Sequence, residues 1–267
     1  MTVEKAYDNL EFLNSKEARS LRILSEYLEP RSRFEQYRIK DTVVFFGSAR
    51  ALSAERAAEA VHFAEEAGDP AALEQALKAV AFSRYYEDAR TIARWMTDWS
   101  KSLPAPNRRF IVCSGGGPGI MEAANRGASD AAGISVGLGI SLPSEPSQNP
   151  YITREMAFEF HYFFMRKFWF AYLAKALVVF PGGFGTLDEL FELLTLVQTH
   201  KLGKRMPIVL YGKEYWNDVI RFDALVRWGT IAAEDVKLFR VTDAPDETFE
   251  FLKGELTRLY LEPENGV

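Results

Sequence analysis

Along the chain, short apolar runs alternate with longer segments whose apolar residues recur at helical spacing. Thr42-Val43-Val44-Phe45-Phe46 is apolar on both faces, as a strand buried inside a parallel sheet must be. The same character marks Phe110-Ile111-Val112-Cys113, Ser135 to Leu142, Ala176-Leu177-Val178-Val179-Phe180 and Pro207-Ile208-Val209-Leu210-Tyr211, with Ala157 to Phe160 a shorter strand. Between them the pattern predicts helices over about 51–100, broken once into two at Asp69-Pro70, then over 120–132 with Gly133 as its stop. Further helices are expected over 162–174, 186–200 and 246–260. Residues 1–40 are charged and helix-prone, with Leu21, Ile23, Leu24 and Leu28 at partly helical spacing and Pro30 as a break. Strands alternating with helices predict an α/β fold: a doubly wound, Rossmann-like parallel sheet flanked by helices, with an N-terminal helical extension. No Pro/Gly/Ser-rich linker divides the chain, so residues 1–267 read as a single domain carrying the 1–40 extension and a 51–100 helical insert.

Composition narrows the function classes. Thirty-seven acids against thirty-two bases give a net charge of -5, which argues against a nucleic-acid or anionic-membrane binder. The single Cys113 excludes an internal disulfide framework and a cysteine zinc cage. The histidines are His62, His161 and His200, none of them in an H-E-x-x-H arrangement, so neither a metal nor a cofactor is expected. The most apolar stretch, 168–180, contains Lys175 and falls short of the roughly 20 residues that span a bilayer. Met1-Thr2-Val3-Glu4-Lys5 leads into no apolar run, so no signal peptide is expected and the location implied is cytoplasmic.

Two glycine-rich turns stand at predicted strand exits, where doubly wound sheets bind ligands. Ser114-Gly115-Gly116-Gly117-Pro118-Gly119 joins a strand to a helix, and Pro181-Gly182-Gly183-Phe184-Gly185 repeats the arrangement. Glycines there let backbone N–H groups approach an anion at the positive end of a helix; a tight turn needing positive φ is the alternative. No frame gives G-x-G-x-x-G, and Gly203-Lys204 is followed by Arg205, which removes the dinucleotide fingerprint and the phosphate loop. After the second turn come Thr186, Asp188 and Glu189. Thr186 with Glu189 has the spacing of a capping box, and the same Glu189 is a candidate general base; both readings stand on spacing alone. Arg166-Lys167 brings two cations into an aromatic segment, either snorkelling to the surface or gripping an anion.

Taken together, Gly115-Gly116-Gly117-Pro118-Gly119-Ile120-Met121-Glu122-Ala123-Ala124, Arg166-Lys167 and Pro181-Gly182-Gly183-Phe184-Gly185-Thr186-Leu187-Asp188-Glu189 resemble the LONELY GUY (LOG) family, longer branch, whose P-G-G-x-G-T-x-x-E motif is fully matched. Its members often carry the label "possible lysine decarboxylase". The resemblance spans about Thr42 to Tyr211 and includes the Gly47-Ser48 strand exit. It implies a phosphoribohydrolase that cleaves the N-glycosidic bond of AMP or an N6-modified AMP (a cytokinin riboside 5′-monophosphate), releasing free base and ribose 5-phosphate. Arg166 and Glu189 are the catalytic pair it implies. Gly47, Ser48, Gly115, Gly116, Gly117, Gly119, Lys167, Gly182, Gly183, Gly185 and Thr186 would hold substrate and phosphate. A homodimer or higher homo-oligomer is also implied, with Phe168, Trp169 and Phe170 as surface or core. The alternative of another class is a non-catalytic nucleotide or molybdenum-cofactor carrier of the same fold. Amino-acid decarboxylation is disfavoured, because it needs a Schiff-base lysine and an electron-sink cofactor for which no lysine stands out.

Overall fold

A computed structural model describes residues 3–104, 107–141 and 148–262. Among these, seven strands form one sheet in the order β4-β3-β2-β1-β5-β6-β7. They are β1 Thr42–Phe46, β2 Ile111–Ser114, β3 Ser135–Ile140, β4 Ala157–Phe160, β5 Ala174–Val179, β6 Ile208–Tyr211 and β7 Arg240–Thr242. Every neighbouring pair is parallel, with Val44 opposite Cys113 on one side of β1 and Leu177 on the other. The helices are α1 Leu10–Asn14, α2 Arg19–Gln36, α3 Ala54–Ala67, α4 Pro70–Ser102, α5 Ile120–Asp130, α6 Phe163–Leu173, α7 Phe184–Gln198, α8 Lys213–Val219, α9 Phe222–Arg227 and α10 Pro245–Tyr260. None of the described helices is long and apolar enough to cross a membrane.

The two-residue period of β1 separates two cores. Val43 and Phe45 enter the layer beneath α4, α5 and α10, whereas Val44 and Phe46 enter the layer shared with α2, α6 and α7. Continuous apolar sequence was the signal for this double coverage, and all five residues of β1 are buried. The break expected at Asp69-Pro70 is built as a pair of caps. Gly68 closes α3 in the left-handed region, Asp69 accepts hydrogen bonds from Ala71 N and Ala72 N, and Pro70 opens α4.

Two expectations about helices are corrected. Pro30 does not end a helix: α2 runs through it. Proline has no N–H for the carbonyl of Glu26 four residues earlier, and the indole Nε1–H of Trp169 donates to that carbonyl at 2.9 Å instead. On α2, Leu21, Leu24 and Leu28 stay exposed while Ile23, Pro30 and Phe34 turn inward. Next, α7 begins at Phe184 with Gly183 as its cap residue, two residues before the expected Thr186. Thr186 and Glu189 therefore lie inside the helix and form no capping box. Of the trio left open between surface and core, Trp169 and Phe170 are core residues and Phe168 is exposed. The third strand ends at Ile140, and Leu142, Pro143 and Pro146 lie outside the described residues. The segment 213–242, where no element was expected, holds α8, α9 and the three-residue edge strand β7. Those pieces are too short and too exposed to show a period.

Candidate active site

The strand order reverses between β1 and β5, and their exits open a crevice of the kind in which doubly wound sheets bind ligands. A cleft of about 570 Å³ lies there, walled by the β1 exit, the starts of α6 and α7, and Met121 of α5. Backbone hydrogen bonds bind three loops into one floor. Ser48 N donates to Pro181 O at 2.9 Å, Ile120 N donates to Ser48 O at 3.0 Å, and Phe180 N donates to Phe46 O at 2.8 Å.

The centre of the cleft is an ion pair. Arg166 Nη2 lies 3.0 Å from Glu189 Oε1. Glu189 is 5% exposed, and burial pushes its carboxyl above the ordinary glutamate value while Arg166 and then Lys167 pull it down. The Arg166 guanidinium also sits 5.3 Å from the Phe163 ring centroid and 5.8 Å from that of Phe170, which limits its orientations. A carboxylate held this way is acceptor-rich, little hydrated and fixed in direction, as a water-activating base requires.

The helix bearing Arg166 is set from outside. The cap residue of α6, Tyr162, makes no side-chain cap of its own. Glu26, on α2, supplies one: its carboxylate accepts from His161 N at 2.7 Å and from Tyr162 N at 3.3 Å. Tyr162 O in turn accepts from Arg166 N at 3.2 Å, so the N-terminal extension reaches the catalytic candidate through one residue of backbone.

Of the residues singled out in the sequence, Gly47, Ser48, Gly115, Arg166, Gly183, Gly185, Thr186 and Glu189 line the cleft together. Gly116, Gly117, Gly119, Gly182 and Lys167 lie off its walls. Gly119 has φ +71 and a Cβ there would collide with the Ser48 carbonyl, so it serves the close approach of two loops. The carbonyls of Gly116 and Gly117 are taken by the Asn149 side chain at 3.0 Å each, and Gly116 N donates to Ser114 Oγ at 3.0 Å. Most of the first glycine turn is thus internal scaffold. By contrast, a Cβ on Gly183 or Gly185 would meet nothing within 4 Å, which leaves the start of α7 open to a ligand. Lys167 turns away and pairs with Asp188 at 2.7 Å and Glu192 at 2.8 Å, a cluster one helix turn behind the ion pair.

Several lining residues escaped the sequence reading: Arg50, Met121, Ile140, Phe163 and Phe184. Phe184 carried a signal, since an aromatic within a glycine turn has little to pack against, and it is 93% exposed. Asn125 and Asn149 carried none. They meet only in the fold, where Asn149 Nδ2 donates to Asn125 Oδ1 at 3.0 Å.

Residues 121–252 match the family described as "Possible lysine decarboxylase". No curated protein matches the chain. Among solved structures, the chain is similar to the structural-genomics target TM1055, at 19% identity over 80% of this chain and 99% of that one, with a TM-score of 0.48. It is also similar to the molybdenum cofactor binding protein of the phototrophic bacterium Rippkaea orientalis, at 15% identity over 81% and 96%, TM-score 0.49. A third is the Moco carrier protein of Chlamydomonas reinhardtii, at 18% identity over 82% and 99%, TM-score 0.49.

Proposed function

We propose that this chain, whose residues 121–252 belong to the possible lysine decarboxylase (LOG) family, is a nucleoside 5′-monophosphate phosphoribohydrolase acting on AMP or N6-modified AMP. The observation that carries this reading is the buried Arg166–Glu189 pair on the wall of the switch-point cleft, beside the open glycines that start α7. Breaking the ribosyl C–N bond develops oxocarbenium character at the sugar carbon. Glu189 is suited to stabilise that cation and to take a proton from the attacking water. Arg166 orients Glu189 and has a further N–H group, its buried Nε, without a protein partner among the described residues. The part of the guanidinium that reaches the cleft can hold the nucleotide or assist departure of the base. The apolar wall of Met121, Ile140, Phe163 and Phe184 suits a planar heteroaromatic base. For decarboxylation, a Schiff-base lysine has no candidate among the described residues lining the cleft, since Lys167 faces outward into its acidic pair.

The test is to incubate purified protein with AMP and N6-isopentenyl-AMP and to measure free base. Release by the wild type and its loss in Glu189→Gln is the expected result. Normal turnover by Glu189→Gln would overturn the mechanism, and tight AMP binding without release in both proteins would point to a carrier instead. A homo-oligomer formed by a second copy would bury the exposed face made by Leu21, Leu24 and Leu28 of α2 with Phe164, Phe168 and Tyr172 of α6. Light scattering that returns a monomer mass at micromolar concentration would refute that assembly.

A further inference from the structure

A phosphorylated substrate needs positive charge in the cleft, and the ion pairs show where it is free. Among the described residues, three charged side chains line the cleft: Arg50, Arg166 and Glu189. Arg166 and Glu189 neutralise one another across 3.0 Å, and Lys167 is committed to Asp188 and Glu192 behind the wall. Arg50 is different. Its backbone N–H donates to Ser48 Oγ at 3.1 Å, which shapes the turn at the exit of β1, but its guanidinium makes no hydrogen bond or ion pair among the described residues. The charge of the described cleft wall is therefore one positive unit, and Arg50 is its source.

Position supports the same conclusion. Arg50 follows the exit of β1, and the open start of α7 follows the exit of β5, the two strands that flank the switch point. A dianion in the crevice would meet the free guanidinium from the β1 side and the backbone amides around Gly183 and Gly185 from the β5 side. The first glycine turn offers little competition, because only Gly115 of its four glycines reaches the cleft. The protein as a whole carries a charge of -5, so nothing but local charge draws an anion here.

We infer that Arg50, which lies outside the segment matched by the family, binds the 5′-phosphate of the nucleotide and sets the preference for nucleotide over nucleoside. This inference rests on the phosphoribohydrolase reading for the identity of the anion. Arg50 is exposed and its side chain braces nothing among the described residues, so its replacement leaves the fold intact.

The experiment pairs a binding and a turnover measurement on wild type, Arg50→Ala and Arg50→Lys. Calorimetric titration with ribose 5-phosphate, which the protein cannot consume, is expected to show affinity weakened by about 10- to 100-fold in Arg50→Ala, the cost of one charge-assisted hydrogen-bonded contact. Arg50→Lys, which keeps the charge but loses the fork, should fall between the two. For turnover, kcat/KM for AMP should drop by a similar factor while that for adenosine stays unchanged. Hydrolysis of AMP with unaltered ribose 5-phosphate affinity in Arg50→Ala would overturn the role of Arg50 and leave the hydrolase standing. Weakened affinity in Arg50→Ala without hydrolysis by the wild type would uphold the role of Arg50 and overturn the hydrolase. A wild type that binds neither ribose 5-phosphate nor AMP would overturn both.

Discussion

The bond from Trp169 to α2 offers a sharp thermodynamic test, because it exists to repair a defect of sequence. Pro30 sits in the middle of α2 without an N–H, and the carbonyl of Glu26 would be orphaned but for the indole of Trp169 at 2.9 Å. Trp169 is 2% exposed, so water does not reach this bond readily. In Trp169→Phe the carbonyl loses its partner, at a cost of about 1–3 kcal/mol for a buried unsatisfied group, plus a packing loss from the smaller ring. In a Pro30→Ala background the backbone N–H of that position is available to the same carbonyl, so the unsatisfied part of the cost disappears and the packing part remains. Urea unfolding of the four proteins, compared at constant m, reads the difference. A coupling of about 1–2 kcal/mol is expected, with Trp169→Phe milder in the Pro30→Ala background than in the wild type. Equal costs in the two backgrounds, to within about 0.5 kcal/mol, would refute the claim that the indole substitutes for the missing backbone donor.

Glu26→Ala removes the carboxylate that caps α6 and should cost about 0.5–2 kcal/mol, with Glu26→Gln falling between because its amide keeps one acceptor oxygen; a Glu26→Ala variant as stable as the wild type would show the cap to be idle. Gly119→Ala should destabilise by roughly 1–3 kcal/mol from its left-handed φ alone, whereas Gly183→Ala should leave thermal stability nearly unchanged and weaken ribose 5-phosphate binding. The reverse ranking would mean that the two glycine turns exchange their scaffold and ligand roles. Because burial raises the Glu189 carboxyl, its favourable contribution to folding is fully present below the unfolded pKa and lost as pH rises through the folded one. The proposed hydrolysis needs the opposite, ionised form, so the acid limb of kcat/KM should stand above the ordinary glutamate range, and Lys167→Gln should move it higher still by removing a nearby positive charge. A limb at the ordinary value, indifferent to Lys167, would argue against Glu189 as the base.

How much of this was legible depended on whether the physics was local. Parallel strands buried on both faces leave a continuous apolar run, and β1, β2, β5 and β6 were visible for that reason. Caps are local too, so the Asp69-Pro70 break between α3 and α4 could be read directly. Pro30 misled because the rule against proline in helices concerns a missing donor, and the replacement donor lies 143 residues beyond the carbonyl it serves. The start of α7 was misplaced for a related reason. Spacing alone allows a capping box at Thr186 and Glu189, and only the observed beginning at Phe184 removes it.

The site shows the same division, with a consequence for how its parts act. Motif glycines mark where backbones come close but not what approaches them: Gly119 meets another loop, whereas Gly183 meets open space. Charges behave alike. Arg166 and Lys167 are adjacent in sequence, yet successive residues on a helix point about 100° apart, and one enters the cleft while the other faces Asp188 and Glu192. Lys167 still acts on Glu189 through its field. On α6, then, one helix gathers three influences on a single carboxylate. Arg166 touches it, Lys167 acts on it through space, and Glu26 fixes the end of the helix from which both project. An arginine able to hold a base in place must itself be held. In this chain the holding falls to α2, which lies outside the matched family segment, so precision at the glycine-turn motif and its arginine depends on an element that the motif does not contain.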